Sequence, residues 1–413
     1  MRVLVVALGS AGDVHPFLAL GDRLMARGHD VTLFANEVFR AEVESRGLAF
    51  AAAGDEATWR RMTSDPDVWH PRRGPLEVLA ETAAHLAEGV DRLREHVVAG
   101  ETVLVGSSLA LAARLVAEAD RVPLATVHLA PAVLRSAHRP PRLLGVPVPP
   151  AAPRWVHRAV FRLADRLIGR VLDAPLAAER RRLGLSPVRR PLDRWWHSPD
   201  LVIGFFPPWF APPQPDWPPQ LRLTGFPLHD DSAFHRPDAE LDAWLAAGEP
   251  PLVFTAGSAN FHAAAFFATA GAVGERLGRR CLLLTRASDS LPAKLPPGST
   301  ARSWAPFARL LPRAAALVHH GGIGTAAQAL AAGIPQLVVA FAHDQLDNGT
   351  RVADLGVGAV TTARRFRPRR AAGELVRLLA SPRVAARCAE LARRLSSGDA
   401  VGRSCDLIES LVD

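Results

Sequence analysis

The sequence is poor in the residues that would cross-link it or carry it through a membrane. It has only three cysteines, Cys281, Cys388 and Cys405, which are odd in number and widely spaced. This excludes a disulfide framework and a cysteine-based metal site. No run of 18 apolar residues occurs, and the chain opens directly into the apolar stretch after Arg2. We therefore expect no membrane-spanning helix, no secretory leader and a cytoplasmic location.

Lysine is almost absent, whereas arginine is abundant and unevenly distributed. The only lysine is Lys294, and the net charge of +8 arises from the segment between Arg135 and Arg194, where fourteen arginines accompany four acids. Five of these arginines recur at intervals of four residues: Arg154, Arg158, Arg162, Arg166 and Arg170. This spacing predicts a stripe along one helix, which either meets an anionic membrane from the cytoplasmic side or is a solvated basic face. Because no RNA-binding motif accompanies it, nucleic acid is not an expected partner.

The length and the hydrophobic pattern predict two α/β domains. At 413 residues and 48% hydrophobic content, the chain exceeds what one core usually organises. Short continuous apolar runs alternate with helical spacing, which predicts parallel strands covered on both faces. The predicted strands are Val3–Leu8, Asp30–Ala35, Leu48–Ala52, Thr102–Val105, Pro123–Val127, Leu201–Phe205, Leu252–Phe254, Cys281–Leu284, Ala316–Val318 and Gln336–Val339.

A proline-rich segment separates the two halves. Residues 207–219 contain seven prolines, which excludes a helix or a central strand and predicts a stiff interdomain connector. We predict two Rossmann-like domains that face each other across a deep cleft. The first domain spans 1–206, the linker 207–228 and the second domain 229–395, and a C-terminal helix over 396–413 could pack back on the first domain.

The densest functional signal is a glycine-rich loop that follows a predicted strand and opens a helix. It runs His319-His320-Gly321-Gly322-Ile323-Gly324-Thr325. Glycines let the backbone approach a ligand, and free N–H groups at a helix start favour an anion, so the loop suits a diphosphate. An ordinary tight turn is the alternative, and no lysine follows as in a Walker sequence.

Two further polar loops follow predicted strand ends in the same half. Gly257-Ser258 offers a backbone N–H and a hydroxyl to a phosphate oxygen, and Asp344-Gln345 offers groups suited to sugar hydroxyls. Asp344 could instead be an ordinary helix N-cap. The carboxyl ends of parallel strands meet at one sheet edge, so the three loops are expected to converge.

The second half resembles the donor-binding signature of the family 1 glycosyltransferases. The matching stretches are Trp304-Ala305-Pro306, Leu310-Leu311-Pro312, His319-His320-Gly321-Gly322, Gly333-Ile334-Pro335 and Asp344-Gln345. The resemblance implies a GT-B fold and a nucleotide-diphosphate sugar as co-substrate, with no cofactor and no metal ion. It implies that Trp304 stacks on the nucleobase and that His319, with His320 as the alternative, contacts the diphosphate. Gly322, Gly324, Thr325 and Ser258 would complete the phosphate site, while Asp344 and Gln345 would hold the sugar.

The N-terminal loop from Gly9 to Pro16 resembles the acceptor-side turn of the same family. A hydroxyl acceptor needs a base to take its proton, and Asp13 is the candidate, with His15 in reserve. The alternative for Asp13 is the N-cap of a helix that begins at Pro16. Gly9 and Gly12 do not match the dinucleotide fingerprint, which argues against a dehydrogenase.

Motifs over nearly the whole chain resemble the rhamnosyltransferases that form mono-rhamnolipids. They include Gly9-Ser10-Ala11-Gly12-Asp13-Val14, Ser136-Ala137-His138, His197-Ser198-Pro199, Thr224-Gly225-Phe226-Pro227-Leu228 and Ala342-His343-Asp344-Gln345. The resemblance implies transfer of L-rhamnose from dTDP-L-rhamnose to a hydroxyalkanoyloxyalkanoic acid. Trp59, Trp69, His138 and Trp155 are candidates for an apolar acceptor pocket, and the tryptophans could equally be ordinary core.

Three other functions stay open at this point. Another apolar or sterol-like acceptor could be glycosylated from a UDP- or dTDP-hexose. A nucleotide-sugar epimerase could use the same scaffold without an acceptor. A non-catalytic subunit could bind the nucleotide sugar or a lipid without turnover.

Overall fold

The computed structural model describes residues 1–146, 148–149, 151–228, 238–258 and 263–412. The chain divides into two compact units. The first consists of Met1–Pro227 together with Asp399–Asp413, and the second is Leu228–Gly398.

The first unit is built on a seven-stranded parallel sheet. Its strands are β1 (Arg2–Val6), β2 (Asp30–Ala35), β3 (Ala49–Ala52), β4 (Thr102–Ser107), β5 (Leu124–His128), β6 (Leu201–Gly204) and β7 (Leu221–Leu223). Their order is β3-β2-β1-β4-β5-β6-β7, so the direction of winding reverses between β1 and β4. The carboxyl ends of these two strands flank the point where such sheets bind ligands.

Helices cover both faces of this sheet. They are α1 (Ala11–Ala26), α2 (Arg40–Glu44), α3 (Glu56–Ser64), α4 (Gly74–Ala84), α5 (Leu86–Arg94), α6 (Leu111–Asp120) and α7 (Arg154–Arg182). Val3 and Val5 enter one hydrophobic cluster, while Leu4 and Val6 enter the cluster on the opposite face. A strand buried on both faces needs an unbroken apolar run, which explains the sequence of β1.

The second unit has a six-stranded parallel sheet of the same kind. Its strands are β8 (Leu252–Thr255), β9 (Cys281–Leu284), β10 (Thr300–Arg302), β11 (Ala316–His319), β12 (Gln336–Ala340) and β13 (Gly358–Thr362). Its helices are α8 (Ala239–Ala246), α9 (Ala264–Leu277), α10 (Phe307–Leu310), α11 (Ile323–Ala331), α12 (Gln345–Asp354), α13 (Pro368–Leu379) and α14 (Pro382–Ser396). The strand order β10-β9-β8-β11-β12-β13 reverses between β8 and β11. The predicted pair of Rossmann-like parallel sheets is confirmed.

The last helix, α15 (Ala400–Glu409), returns to the first unit and packs against α1. Arg27 of α1 pairs with Asp406 and Glu409, each at 2.7 Å, and Ser404 donates a hydrogen bond to Thr224 Oγ1 at 2.9 Å. The first unit is therefore completed by the C-terminal end of the chain.

The proline-rich segment predicted as an interdomain connector lies within the first unit, so that prediction was wrong for residues 207–227. Phe210 and Trp217 are 2% and 9% exposed, and their rings contact Phe226 at 5.1 Å and Phe206 at 6.2 Å between centroids. The aromatic residues between the prolines supply apolar surface, so the segment packs on the unit before the chain enters β7.

Among the described residues, no helix combines the length and the apolar composition needed to cross a bilayer.

Candidate functional site

Three polar loops of the second unit lie side by side at one edge of its sheet. They follow β8, β11 and β12, which are neighbours in the sheet and run parallel. The loops after β8 and β11 flank the point where the winding reverses, which is where an open α/β sheet offers its ligand crevice. The structure thus brings Ser258, the His319–Thr325 loop and Asp344 to the same sheet edge. Trp304 follows the carboxyl end of β10 at this edge and is partly exposed.

His319 ends β11 and is fully buried. Its Nε2 donates to Gln336 Oε1 at 3.0 Å, and its Nδ1 accepts from the N–H of Gly321 at 3.2 Å. Gln336 in turn donates to the carbonyl of Ala326 at 3.3 Å, which ties the strand to α11. Burial lowers the pKa of His319 to about 3, so the ring is neutral. Because both ring nitrogens are engaged in the protein, the expectation that His319 contacts the diphosphate is not supported.

His320 differs from His319 in what surrounds its ring nitrogens. A Cβ on Gly257 would stand 2.9 Å from its Nε2, and a Cβ on Gly322 would collide with the same atom, so the ring lies between two glycine backbones. Its Nδ1 is buried and makes no hydrogen bond to any described residue. Burial lowers the pKa of this ring to about 4. A neutral imidazole keeps one ring N–H, which can donate to an oxygen of an anionic ligand.

The turn between His320 and α11 depends on Gly321. Its φ of +95° lies in the region that favours glycine, and a Cβ there would stand 2.7 Å from Val338 Cγ1 and 2.9 Å from the carbonyl oxygen of Gln345. The N–H of Ala326 bonds back to Gly322, so the N–H groups of the first helical residues point out of the helix end, as in any α-helix. Gly324 and Thr325 are among these residues, which makes this helix end a site for negative charge.

The loop after β12 is organised by a residue that the sequence interpretation did not single out. Asn348 is fully buried, and its Nδ2 donates to the carbonyl of Gly321 at 3.0 Å and to Asp344 Oδ2 at 2.8 Å. Asp344 occupies the N-cap position of α12, yet its side chain makes no cap hydrogen bond. Asn348 follows Asp344 by four residues, which is the spacing that places two helical side chains together. Gln336, an isolated polar residue at the start of an apolar strand, was missed in the same way.

Gln345 is less available than predicted. It is 3% exposed, and its Oε1 accepts from the N–H groups of Phe341 at 2.8 Å and Ala342 at 3.0 Å. The amide oxygen therefore shapes the loop, and the Nε2 group is what this side chain can offer to a sugar hydroxyl.

Asp13 lies at the topological switch point of the first sheet, where the winding reverses between β1 and β4, in the first turn of the helix that follows β1. Its Oδ2 accepts from the N–H of Ser10 at 2.8 Å and from Ser10 Oγ at 2.9 Å. Burial raises the pKa of Asp13 above its usual range, although the two bonds from Ser10 oppose the shift. The helix begins at Ala11 rather than at Pro16, and Asp13 is its third residue, where it reaches back to the N-cap residue Ser10. His15, the reserve base, has its Nε2 3.3 Å from Glu42 Oε1.

The four residues predicted to line an acceptor pocket lie in different surroundings. Trp155 is 70% exposed at the start of α7, so it does not line an enclosed pocket of the first unit. Trp155 lies in the first turn of α7, on its exposed side and next to the arginine stripe. Trp59 in α3 and Trp69 in the following turn are partly buried, and these two elements contact each other. His138 is partly buried in the loop after β5, where its N–H donates to Ser136 Oγ at 3.0 Å.

No group of three or more His, Cys, Asp or Glu side chains in the described ranges is arranged to hold a metal ion.

Two family models match the chain. The glycosyltransferase family 28 N-terminal domain matches residues 3–138, and the erythromycin biosynthesis protein CIII-like C-terminal domain matches residues 280–400. The first match includes Asp13, and the second includes the loops after β10, β11 and β12.

Relatives extend over the full chain. The O-mycaminosyltylonolide 6-deoxyallosyltransferase of Streptomyces fradiae is 33% identical, over 99% of this chain and 97% of its own length. The crystal structure of the glycotransferase of kitacinnamycin has a TM-score of 0.74 at 22% identity, over 100% of this chain and 99% of that one. Spinosyn rhamnosyltransferase SpnG, solved with thymidine diphosphate, has a TM-score of 0.65 at 20% identity and covers both chains fully. These two solved structures show a common fold.

Proposed function

Since the chain belongs to the family 1 glycosyltransferases of GT-B fold, we propose that it transfers a 6-deoxyhexose from a dTDP-sugar to a hydroxyl with inversion at the anomeric carbon. The observation that carries the proposal is the position of the His320 ring, which lies between the glycine turn after β8 and the start of α11. An imidazole, free helix N–H groups and a hydroxyl at Ser258 then occupy one switch point, which suits a nucleotide diphosphate.

The second unit is proposed to stabilise the leaving diphosphate. His320 and the N–H groups at the start of α11 meet the charge that develops as the sugar departs, and Thr325 and Ser258 add hydroxyl donors. These donors serve in place of a metal ion. His319, Gln336 and Asn348 are positioning residues, because they hold the Gly321 turn and the carboxylate of Asp344. Asp344 and the Nε2 group of Gln345 are proposed to bind the sugar, and Trp304 to stack on the nucleobase.

The first unit is proposed to bind the acceptor and to supply the base. The Asp13 carboxylate takes the proton of the acceptor hydroxyl as the oxygen attacks the anomeric carbon from the face opposite the diphosphate. A carboxylate with a raised pKa is a stronger base than an ordinary one. The new carbon–oxygen bond forms as the bond to the diphosphate breaks, and the proton remains on Asp13 until solvent removes it.

The proposed donor is dTDP-L-rhamnose, and the proposed acceptor is a hydroxyalkanoyloxyalkanoic acid. This choice rests on the motifs shared with the rhamnolipid-forming enzymes. A macrolide-type acceptor is the second candidate, because the Streptomyces fradiae relative is named for transferring a 6-deoxyhexose to a tylonolide.

The melting temperature measured with a panel of dTDP- and UDP-sugars distinguishes the possible donors, since a ligand that binds only the folded chain stabilises it.

Replacing His320 is expected to weaken nucleotide binding without unfolding the second unit. His320→Ala removes a hydrogen bond to a charged phosphate, so the affinity for dTDP should fall about 10- to 100-fold by calorimetric titration. His70→Ala, a histidine change in the first unit, is the matched control and should leave dTDP affinity unchanged. Wild-type affinity in His320→Ala would remove the imidazole from the phosphate site.

We also propose that α7 docks on an anionic membrane surface. The five arginines of the stripe are all exposed. Beside them lie the exposed side chains of Trp155, Leu163 and Leu167, at 70%, 55% and 39%. Basic and apolar residues side by side on one exposed helix fit the boundary of an anionic bilayer.

Charge reversal on α7 should weaken binding to anionic vesicles. Each arginine near anionic headgroups contributes about 1 kcal/mol, so Arg158→Glu with Arg162→Glu should lower partition onto phosphatidylglycerol vesicles at least about tenfold in sedimentation. Arg369→Glu with Arg370→Glu, on exposed positions of α13, is the matched control. Equal binding to zwitterionic vesicles, or binding that survives the α7 reversal, would contradict this docking.

A further inference from the structure

A chain of four hydrogen-bonding side chains runs through the interior of the first unit, apart from the proposed base. Trp196 Nε1 is 3.0 Å from His197 Nε2, and His197 Nδ1 is 2.9 Å from His128 Nε2. His128 Nδ1 is 2.8 Å from Ser108 Oγ. Trp196, His197 and His128 are buried, whereas Ser108 is partly exposed. The chain therefore leads from the core to the surface.

Trp196, the first member of this series, fixes the direction of every hydrogen bond in it. An indole N–H can only donate, so His197 Nε2 accepts from Trp196. Burial lowers the pKa of His128 well below its ordinary value. Burial, together with the charge of Arg135, lowers the pKa of His197 to about 4. Both rings are therefore neutral. A neutral ring that accepts at one nitrogen donates at the other, so His197 Nδ1–H donates to His128 and His128 Nδ1–H donates to Ser108 Oγ.

The outer end of the chain lies at the ligand-binding edge of its sheet. Ser108 directly follows β4, and β4 is the neighbour of β1. Asp13 lies in the first turn of α1, the helix that follows β1. The N–H of Leu8 donates to Ser107 Oγ at 3.3 Å, which ties the segment after β1 to the last residue of β4. Ser108 and Asp13 therefore flank the same switch point of the first sheet.

We propose that the Ser108 hydroxyl is a hydrogen-bond donor to the acceptor substrate, held in that role by the Trp196–His197–His128 chain. Because Ser108 Oγ already accepts from His128, its own proton is directed away from that ring. It selects an acceptor that presents an oxygen lone pair, such as a carbonyl or carboxylate oxygen, close to the reacting hydroxyl. This inference rests on the proposed function only for the identity of the acceptor.

Which ring nitrogen carries the proton in His128 and His197 can be measured without any substrate, and this tests the proposed hydrogen-bond series. Nitrogen-15 NMR of the histidine-labelled full chain should show both His128 and His197 protonated at Nδ1, with signals assigned by comparison with Ser108→Ala and Trp196→Phe. In Trp196→Phe the fixed donor is gone, so the two rings should lose their single tautomer. An Nε2–H tautomer at His128 in the wild-type protein would overturn the proposal, because the serine proton would then be used inside the chain.

Steady-state kinetics test the role of the serine. Ser108→Ala loses one hydrogen bond, so KM for the acceptor should rise about 3- to 10-fold while KM for the nucleotide sugar stays unchanged. Ser108→Thr keeps the hydroxyl and should restore the acceptor KM. An unchanged acceptor KM in Ser108→Ala, or an equal rise in both KM values, would overturn the proposal. The NMR result stands even where the proposed acceptor is not a substrate, so failure of the inference and failure of the proposed function are distinguishable.

Discussion

Asp13→Asn should lower kcat about 10²- to 10⁴-fold while leaving the affinity for dTDP unchanged, as expected when a general base is lost. The amide keeps an oxygen that can accept from the N–H of Ser10, so α1 still has its cap and the protein should fold. The measurement is transfer rate at saturating donor and acceptor, alongside calorimetric titration of the nucleotide. Near-wild-type turnover in this variant would remove Asp13 from the mechanism.

The control for this prediction is Ser10→Ala, which weakens the same helix cap but keeps the carboxylate. It should cost about 1 kcal/mol of stability and retain most of the activity. The lost Oγ bond was lowering the pKa of Asp13, so in Ser10→Ala this pKa should rise further. A base works when deprotonated, so activity falls as pH falls through its pKa. The acid limb of the kcat/KM profile should therefore move to higher pH in Ser10→Ala.

Gly321→Ala should have the second large effect, and it should act on donor binding. The new methyl group would meet the Gln345 carbonyl oxygen at 2.9 Å, in a backbone conformation that alanine adopts at a cost of about 1 kcal/mol or more. Because the turn sets the start of α11, we expect a loss of at least about 2 kcal/mol of stability. In the protein that remains folded, dTDP affinity should fall at least about 100-fold, since several charge-assisted hydrogen bonds depend on this turn.

Gly324→Ala is the matched control for the Gly321 change. A Cβ at Gly324 has no described neighbour within 4 Å, and alanine favours a helix by about 1 kcal/mol over glycine. Its melting temperature should therefore equal or exceed that of the wild type. If Gly321→Ala matched Gly324→Ala in stability and bound dTDP as tightly as the wild type, the turn would not be the phosphate site.

The fold was predictable where strands are buried on both faces. β9 begins and ends at the residues predicted, because its unbroken apolar run is the direct signature of a central parallel strand. β2 also has the predicted bounds, although Asp30 and Thr32 interrupt its apolar residues. The three strands that the sequence did not indicate, β7, β10 and β13, are all at sheet edges. An edge strand is partly exposed and needs no continuous apolar run, so the pattern that finds a central strand fails there.

The convergence of the three polar loops was predictable, but the surroundings of adjacent polar residues were not. Glycines and polar residues at predicted strand ends indicated that these loops share one sheet edge, and the structure places them there. Sequence spacing does not show which of two successive histidines turns inward. Only the geometry shows that Gln336 and Gly321 occupy both nitrogens of His319, whereas His320 keeps a buried nitrogen unpaired.

The most direct test is a reaction of the full chain with dTDP-L-rhamnose and a hydroxyalkanoyloxyalkanoic acid, followed by NMR of the product. Wild-type protein should release dTDP only when the acceptor is present and should form a glycoside of inverted anomeric configuration. Asp13→Asn should form almost none, although it still binds dTDP. Release of dTDP without an acceptor, retention of configuration, or equal product from the two proteins would refute transfer by Asp13-assisted inversion.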